Sequence, residues 1–268
     1  MPIARLLRPV RAVAVAVALV GGLVSAGLAA TPTAATTSTP ALAVTVVGNH
    51  LVDGAGNVVR LLGVDRSGTE YACAQGWGIF DGPSDATSIA AMAAWHVNAV
   101  RVPLNEDCWL GINHLNASFS GDAYRSAIAN YVSALHAAGV VAILDLHWNA
   151  PGASVASSQQ VMADADHSPA FWASVASSFR NDRAVAFDLY NEPHDISWSC
   201  WRDGCTTAAG WQAAGMQSLV NAVRSTGATQ PVLLGGLGWA SDLSSWRAWQ
   251  PNDPAGHAAA SFHVYNFS

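Results

Sequence analysis

The chain has 268 residues, 51% of them hydrophobic and 11% charged, with a formal net charge of -6. That length and apolar fraction are enough to bury one barrel-sized core. The acidic balance, with no lysine at any position, excludes the clustered cations that a nucleic-acid surface needs.

Arg5, Arg8 and Arg11 precede an uncharged apolar stretch that runs from Ala12 to Val24 and ends in small residues around Gly27 and Ala30. This is the layout of a secretory signal; a membrane anchor is the competing reading, and the glycines and small-residue end favour cleavage. Residues 1–30 are therefore expected to be a signal peptide. Residues 31–43, rich in Thr, Pro and Ala, are too poor in bulky side chains to pack and are expected to be a linker. Export to the extracellular side follows, with no stable membrane association after cleavage.

The folded domain is expected over 44–268. Two short apolar runs around Asp53, Gly54, Gly56 and Asn57 predict a β-hairpin over 44–59. Strands and helices then alternate. A strand is expected near 60–65, a helix near 88–96, a strand near 99–104, a helix over 123–138 and a strand over 140–147. A helix over 169–179, a strand over 184–192, a helix over 208–225, a strand over 231–237, a helical turn near 243–249 and a strand over 259–265 complete the series. Such alternation means a parallel α/β sheet, either doubly wound or closed into a barrel. No Gly-x-Gly-x-x-Gly follows the first strand, which removes the dinucleotide fold's phosphate cradle. Polar and aromatic residues gather instead at several strand ends, as in a (β/α)8 TIM barrel. About six of its eight β/α units are present, so unpaired strand edges and exposed apolar surface are expected.

Cys73, Cys108, Cys200 and Cys205 are an even set and fit an oxidising compartment. Three pairings are possible, and sequence locality favours Cys200 with Cys205 and Cys73 with Cys108. Zinc is the rival reading, but no Cys-x-x-Cys spacing supports it.

Glutamate occurs only at positions 70, 106 and 192. Glu192 closes the apolar run AVAFDLYNEP, where Pro193 biases it away from helical geometry and leaves its carboxyl at a strand end. Arg101 lies within the apolar strand AVRVPL, where an unpaired guanidinium would be expensive. A structural ion pair with Asp145 or Asp188 and a clamp on a catalytic carboxylate are both open to it. His147 ends VVAILDLHW on the same face as Asp145, and Trp148 is expected to begin the next loop; His263 and Tyr265 share one face of SFHVY. Trp77, Trp109, Trp148, Trp198, Trp201 and Trp239 fall in expected loops, where flat indoles suit stacking on pyranose rings. Trp95, Trp172 and Trp211 fall in expected helices and read as core.

The ordered pieces AVRVPLN, ILDLHW, DLYNEP and SFHVY resemble those of glycoside hydrolase family 5, the large cellulase family, over about 44–268. The resemblance implies a retaining β-glycosidase that needs no metal and acts on a β-linked polysaccharide; no cofactor and a monomeric chain are expected. An endo-β-1,4-glucanase comes first; mannan, xyloglucan and glycolipid cleavage, or a non-catalytic carbohydrate-binding remnant, are the alternatives. It implies that Glu192 is the general acid and base and that Asn191 binds the sugar 2-hydroxyl. Arg101 would steer the nucleophilic carboxylate, with His147, His263 and Tyr265 completing the site. Trp148, Trp239, Trp109 and Trp77 are the expected sugar-binding residues. The family's nucleophile is a second glutamate on the seventh strand. This sequence has no acidic residue after Asp253, so an incomplete copy is expected.

Overall fold

A computed structural model describes residues 42–266. The expected signal peptide and all but the last two residues of the expected linker lie outside the described residues.

β1 (Thr45–Val47) and β2 (His50–Val52) form an antiparallel hairpin that pairs Thr45 with Val52. Its turn is made by Gly48, at φ 62, and Asn49, earlier in the chain than expected. Residues 53–57 make a second turn, held by the Asp53 carboxylate accepting from the Ala55 and Asn57 amides.

The elements that follow are β3 (Gly63–Asp65), α1 (Ala86–Ala94), β4 (Ala99–Asn105), α2 (Glu106–Leu110), α3 (Asp122–Ala137) and β5 (Val141–Trp148). Then come α4 (Ser168–Phe179), β6 (Val185–Asp188), α5 (Trp198–Asp203), β7 (Cys205–Thr206), β8 (Gln212–Ala213) and α6 (Met216–Ser225). β9 (Val232–Gly235), a helical turn over Trp246–Trp249 and β10 (Ala258–Ser261) finish the chain. Among the described residues β3, β4, β5, β6, β9 and β10 form one parallel sheet in that spatial order, a partial TIM barrel. β3 and β10 are its edges, and Val64, Phe262 and Val264 beside them are exposed.

Side-chain alternation divides the sheet into two chemically distinct faces. Val100, Val102 and Leu104 of β4 and Ala142, Leu144 and Leu146 of β5 are fully buried against the helices. Tyr124, Ile128, Val132 and Leu135 present the helical face of α3 to them; Phe171, Trp172 and Val175 do so from α4, and Leu219, Val220 and Val223 from α6. Each fully buried Leu or Phe contributes about 1.5–3 kcal/mol, so this outer layer supplies the stability. The other face is left to Arg101, Asp145 and His147, which carry the chemistry.

Two disulfides join Cys73 to Cys108 and Cys200 to Cys205. The second closes the end of α5 and starts β7, so the helix expected over 208–225 begins only at Met216. The β7–β8 hairpin occupies the rest, because Gly204 and Gly215 meet there: a Cβ on Gly215 would lie 2.3 Å from the Gly204 nitrogen. Trp211 therefore belongs to the hairpin and not to a helix. Trp95, expected in the core, caps α1 and is 84% exposed. Trp148 is the last residue of β5 and not the first of a loop, because a register shift pairs it with Asn105. β10 ends at Ser261, which leaves His263 and Tyr265 in the irregular segment beyond it.

Candidate active site

Strand register assembles the site. β3 aligns Asp65 with Arg101 of β4, and β5 aligns Asp145 with Asp188 of β6, so three carboxylates surround one guanidinium. Arg101 Nε donates to Asp188 Oδ2 at 3.0 Å and Nη1 to Asp65 Oδ1 at 3.1 Å, while Nη2 lies 3.0 Å from Asp145 Oδ2. Nη2 also donates to Asn191 Oδ1 at 2.8 Å. Burial alone would lower the Arg101 pKa; the charges of Asp145, Asp188 and Asp65 outweigh it and hold the group protonated above its ordinary value. Burial pushes Asp188 up to about 6, a rise that Arg101 only partly opposes.

His147 Nδ1 donates to Asp145 Oδ2 at 2.6 Å. Burial lowers its pKa, but the charge and hydrogen bond of Asp145 overcome this and leave the imidazole above its usual value. Asp145 thus links Arg101 to His147 across two strands.

Asn191 is fixed from three sides. Its amide N–H donates to Leu146 O at 3.1 Å, its Oδ1 accepts from Arg101, and its Nδ2 donates to Gln159 Oε1. Gln159 Nε2 in turn donates to the Glu192 carbonyl at 2.7 Å. Gln159 lies in the long loop after β5, in the run SSQQ, and no spacing or composition signal marks it in the sequence. Arg101 is connected to Glu192 through Asn191 and Gln159.

The Glu192 side chain is 12% exposed. Its Oε1 accepts from His263 Nδ1 at 2.9 Å and from the Tyr265 hydroxyl. Burial raises the Glu192 pKa, yet these two donors and the nearby charges of His263 and His147 prevail and set it below the ordinary glutamate value. The same contact pushes the Tyr265 phenol up to about 12.

Among the described residues one group, Asp164, Asp166 and His167, brings three potential metal-ligand atoms within 4.8 Å of one another. Its carboxylates already serve the loop: Asp164 accepts from the His167 amide, Asn149 and Ser168, and Asp166 from the Gly152 amide.

Residues 52–268 match the cellulase family, glycosyl hydrolase family 5. The chain belongs to that family. It is 29% identical over 200 residues to the manganese dependent endoglucanase Eg5A of Phanerodontia chrysosporium, covering 70% of this chain and 46% of that protein. It is 31% identical over 171 residues to endoglucanase 1 of Saitozyma flava, covering 59% and 45%. The chain thus spans about half the length of the curated relatives it matches. Of solved structures, XacCel5A in complex with cellopentaose is similar at a TM-score of 0.57 and 26% identity, over 76% of this chain and 64% of that one. The catalytic domain of the major endoglucanase from Xanthomonas campestris pv. campestris shares the fold at a TM-score of 0.62 and 21% identity, over 83% and 69%.

In this family 5 chain the four tryptophans expected to meet sugar divide. Trp77 is 65% exposed and meets Tyr71 edge-on at 5.9 Å, and Tyr71 lies 6.0 Å from Trp148. These three rings form a wall beyond β3 and β5. Trp239, 49% exposed, follows β9, and its amide donates to Pro193 O at 3.1 Å, next to Glu192. Trp109 does not belong with them. It lies in α2, 1% exposed, packed edge-on against Tyr124 and Phe171, with Nε1 donating to Ser174. The segment expected to be a loop is a helix capped by Asn105, whose side chain accepts from the Cys108 amide, and that helix turns Trp109 into the core. Trp201, expected in a loop, is likewise fully buried, on α5.

Proposed function

We propose that Glu192 is the general acid and base of a retaining β-glycosidase acting on β-1,4-linked glucan. The observation that carries this reading is the placement of Glu192 past β6, almost enclosed, under two donors, with Asn191 anchored beside it by Arg101. Asn191 Nδ2 has two hydrogens; one engages Gln159 and the other is left for a sugar 2-hydroxyl. Trp77, Trp148 and Trp239 would line a groove for a chain of pyranose rings.

Protonating a leaving oxygen requires Glu192 to be uncharged, whereas His263 and Tyr265 hold it ionised. A sugar that excludes water, and a second carboxylate about 5 to 5.5 Å away, would each raise its pKa into the working range. Asp65, Asp145 and Asp188 are engaged by Arg101, and Asp253, the last acid in the sequence, is bound by Arg224 at 2.7 and 3.0 Å. Of the other two glutamates, Glu70 accepts from the Gly68 amide and Glu106, fully buried, from Ser168; on this reading these residues supply the acid and base half of a two-carboxylate site. The glucanase relatives and the cellopentaose complex of a similar structure support β-glucan as the substrate class. The disulfides support an extracellular location.

Azide tests this division. With cellopentaose bound, azide attacks C1 opposite the leaving oxygen, the C1–O bond breaks, and Glu192 gives its proton to the departing sugar. An α-glycosyl azide detected by mass spectrometry, and lost in Glu192→Gln, supports the reading. No azide product, an equal yield from Glu192→Gln, or reducing-sugar release without azide overturns it.

A further inference from the structure

Trp239 stands on a strained backbone. Gly238, Trp239 and Ala240 have φ of 59, 62 and 59, three consecutive left-handed residues of which only the first is glycine. A bulky aromatic in that region is strained unless its surroundings fix it, and such outliers cluster where function needs a particular geometry. Here three neighbours fix it. Trp239 N–H donates to Pro193 O, the His263 amide donates to Ala240 O at 3.0 Å, and Leu237 and Asp242 exchange backbone hydrogen bonds at 3.0 and 2.9 Å that close the turn. Gly236 permits that closure, since a Cβ there would lie 2.0 Å from Asp242 O.

The strained turn lays the indole flat on the imidazole of His194, with ring centroids 3.6 Å apart and planes 10° apart. His194 is 8% exposed, and its Nδ1 donates to Asp195 Oδ2 at 2.9 Å. One indole face is therefore covered by a nearly buried, hydrogen-bonded ring, while about half of the residue remains open. His263 holds this turn through its amide and the Glu192 carboxyl through its Nδ1, and Pro193, which accepts from Trp239, follows Glu192 in the chain, so the platform and the acid are parts of one hydrogen-bonded unit.

We propose that His194 is a positioning residue: by stacking beneath Trp239 it holds the indole as a preset platform for one pyranose ring of a β-glucan, at a fixed distance from Glu192. This rests on the reading of the site as a β-glucan cleft. Its contribution passes through Trp239 and not through direct contact with sugar.

Calorimetric binding of cellopentaose to the full chain, in a double-mutant cycle, tests it. His194→Ala should weaken binding by about 2- to 10-fold, the range expected for a lost aromatic stack, and His194→Phe, which keeps a flat ring, should restore most of it. In a Trp239→Ala background, His194→Ala should change nothing further. Equal losses in both backgrounds, or no rescue by Phe, would overturn the proposal. The imidazole proton resonances of His194 read the stack without ligand: they should be shifted upfield, and should lose that shift in Trp239→Ala. An unshifted His194 contradicts the positioning role itself. A shifted His194 in a chain that binds no cellopentaose removes the glucan reading, and the platform's role with it.

Discussion

Asp145 and Asp188 stand at one level of adjacent strands and share a single guanidinium, with Arg101 Nη2 3.0 Å from the first and 2.9 Å from the second. Both acids are buried, so the site's floor is an ion cluster whose charges depend on one another.

Removing the cation should therefore cost more than any surface pair. Arg101→Met leaves two buried carboxylates without a counter-charge and is expected to destabilise the chain by about 3–5 kcal/mol. Arg101→Lys should recover only part of this, because one ammonium cannot span Asp65, Asp145, Asp188 and Asn191 at once. Urea unfolding midpoints of the two variants check the order.

The pH dependence of stability has a defined sign at Asp188. Its pKa rises from 3.8 to about 6 on folding, so its stabilising contribution is complete below 3.8 and is lost as pH climbs through about 6. Asp188→Asn should flatten the stability profile between those values relative to the parent chain. Unfolding curves measured across that window give the comparison; an unchanged slope contradicts the assignment.

Glu192 behaves in the opposite sense. Its pKa is depressed below 4.5, so its contribution is complete above that value and falls away as pH drops through the folded-state pKa. Tyr265→Phe removes one of the two donors and leaves the upward push of burial, so the carboxyl should titrate at higher pH. Carbon-13 NMR of labelled glutamate reads this directly, with only Glu70 and Glu106 to separate from it.

The two disulfides should differ in weight. Cys73 and Cys108 are 35 residues apart and Cys200 and Cys205 only 5. Loop-closure entropy then gives about 4 kcal/mol for the first and about 2 kcal/mol for the second. Paired Cys→Ala variants compared by denaturant unfolding test the ratio.

Much of this arrangement is legible in the residues. The apolar runs around Arg101, Asp145 and Asp188 read as strands because helices cover one face, and their polar exceptions point to the other face. What escaped has physical causes. Residues 208–215 look helical by their alanines, but the adjoining disulfide and the close approach of Gly204 and Gly215 impose a hairpin. Trp109 follows a strand and so reads as a loop residue open to sugar; Asn105 as N-cap and the acids Glu106 and Asp107 in the first turn mark instead a helix that carries it inward. Gln159 has no such signal. Its role arises only because a distant loop folds back onto Asn191 and Glu192.

An ω-epoxyalkyl β-cellobioside places an electrophile where a scissile bond would lie, and a carboxylate that faces it opens the epoxide to form an ester. Peptide mapping of the labelled chain by mass spectrometry is expected to find the ester on Glu192, with cellopentaose protecting it. Labelling on Asp166, Asp65 or another surface acid, or labelling of Glu192 that cellopentaose leaves unchanged, would contradict the placement of that carboxyl at the cleavage point.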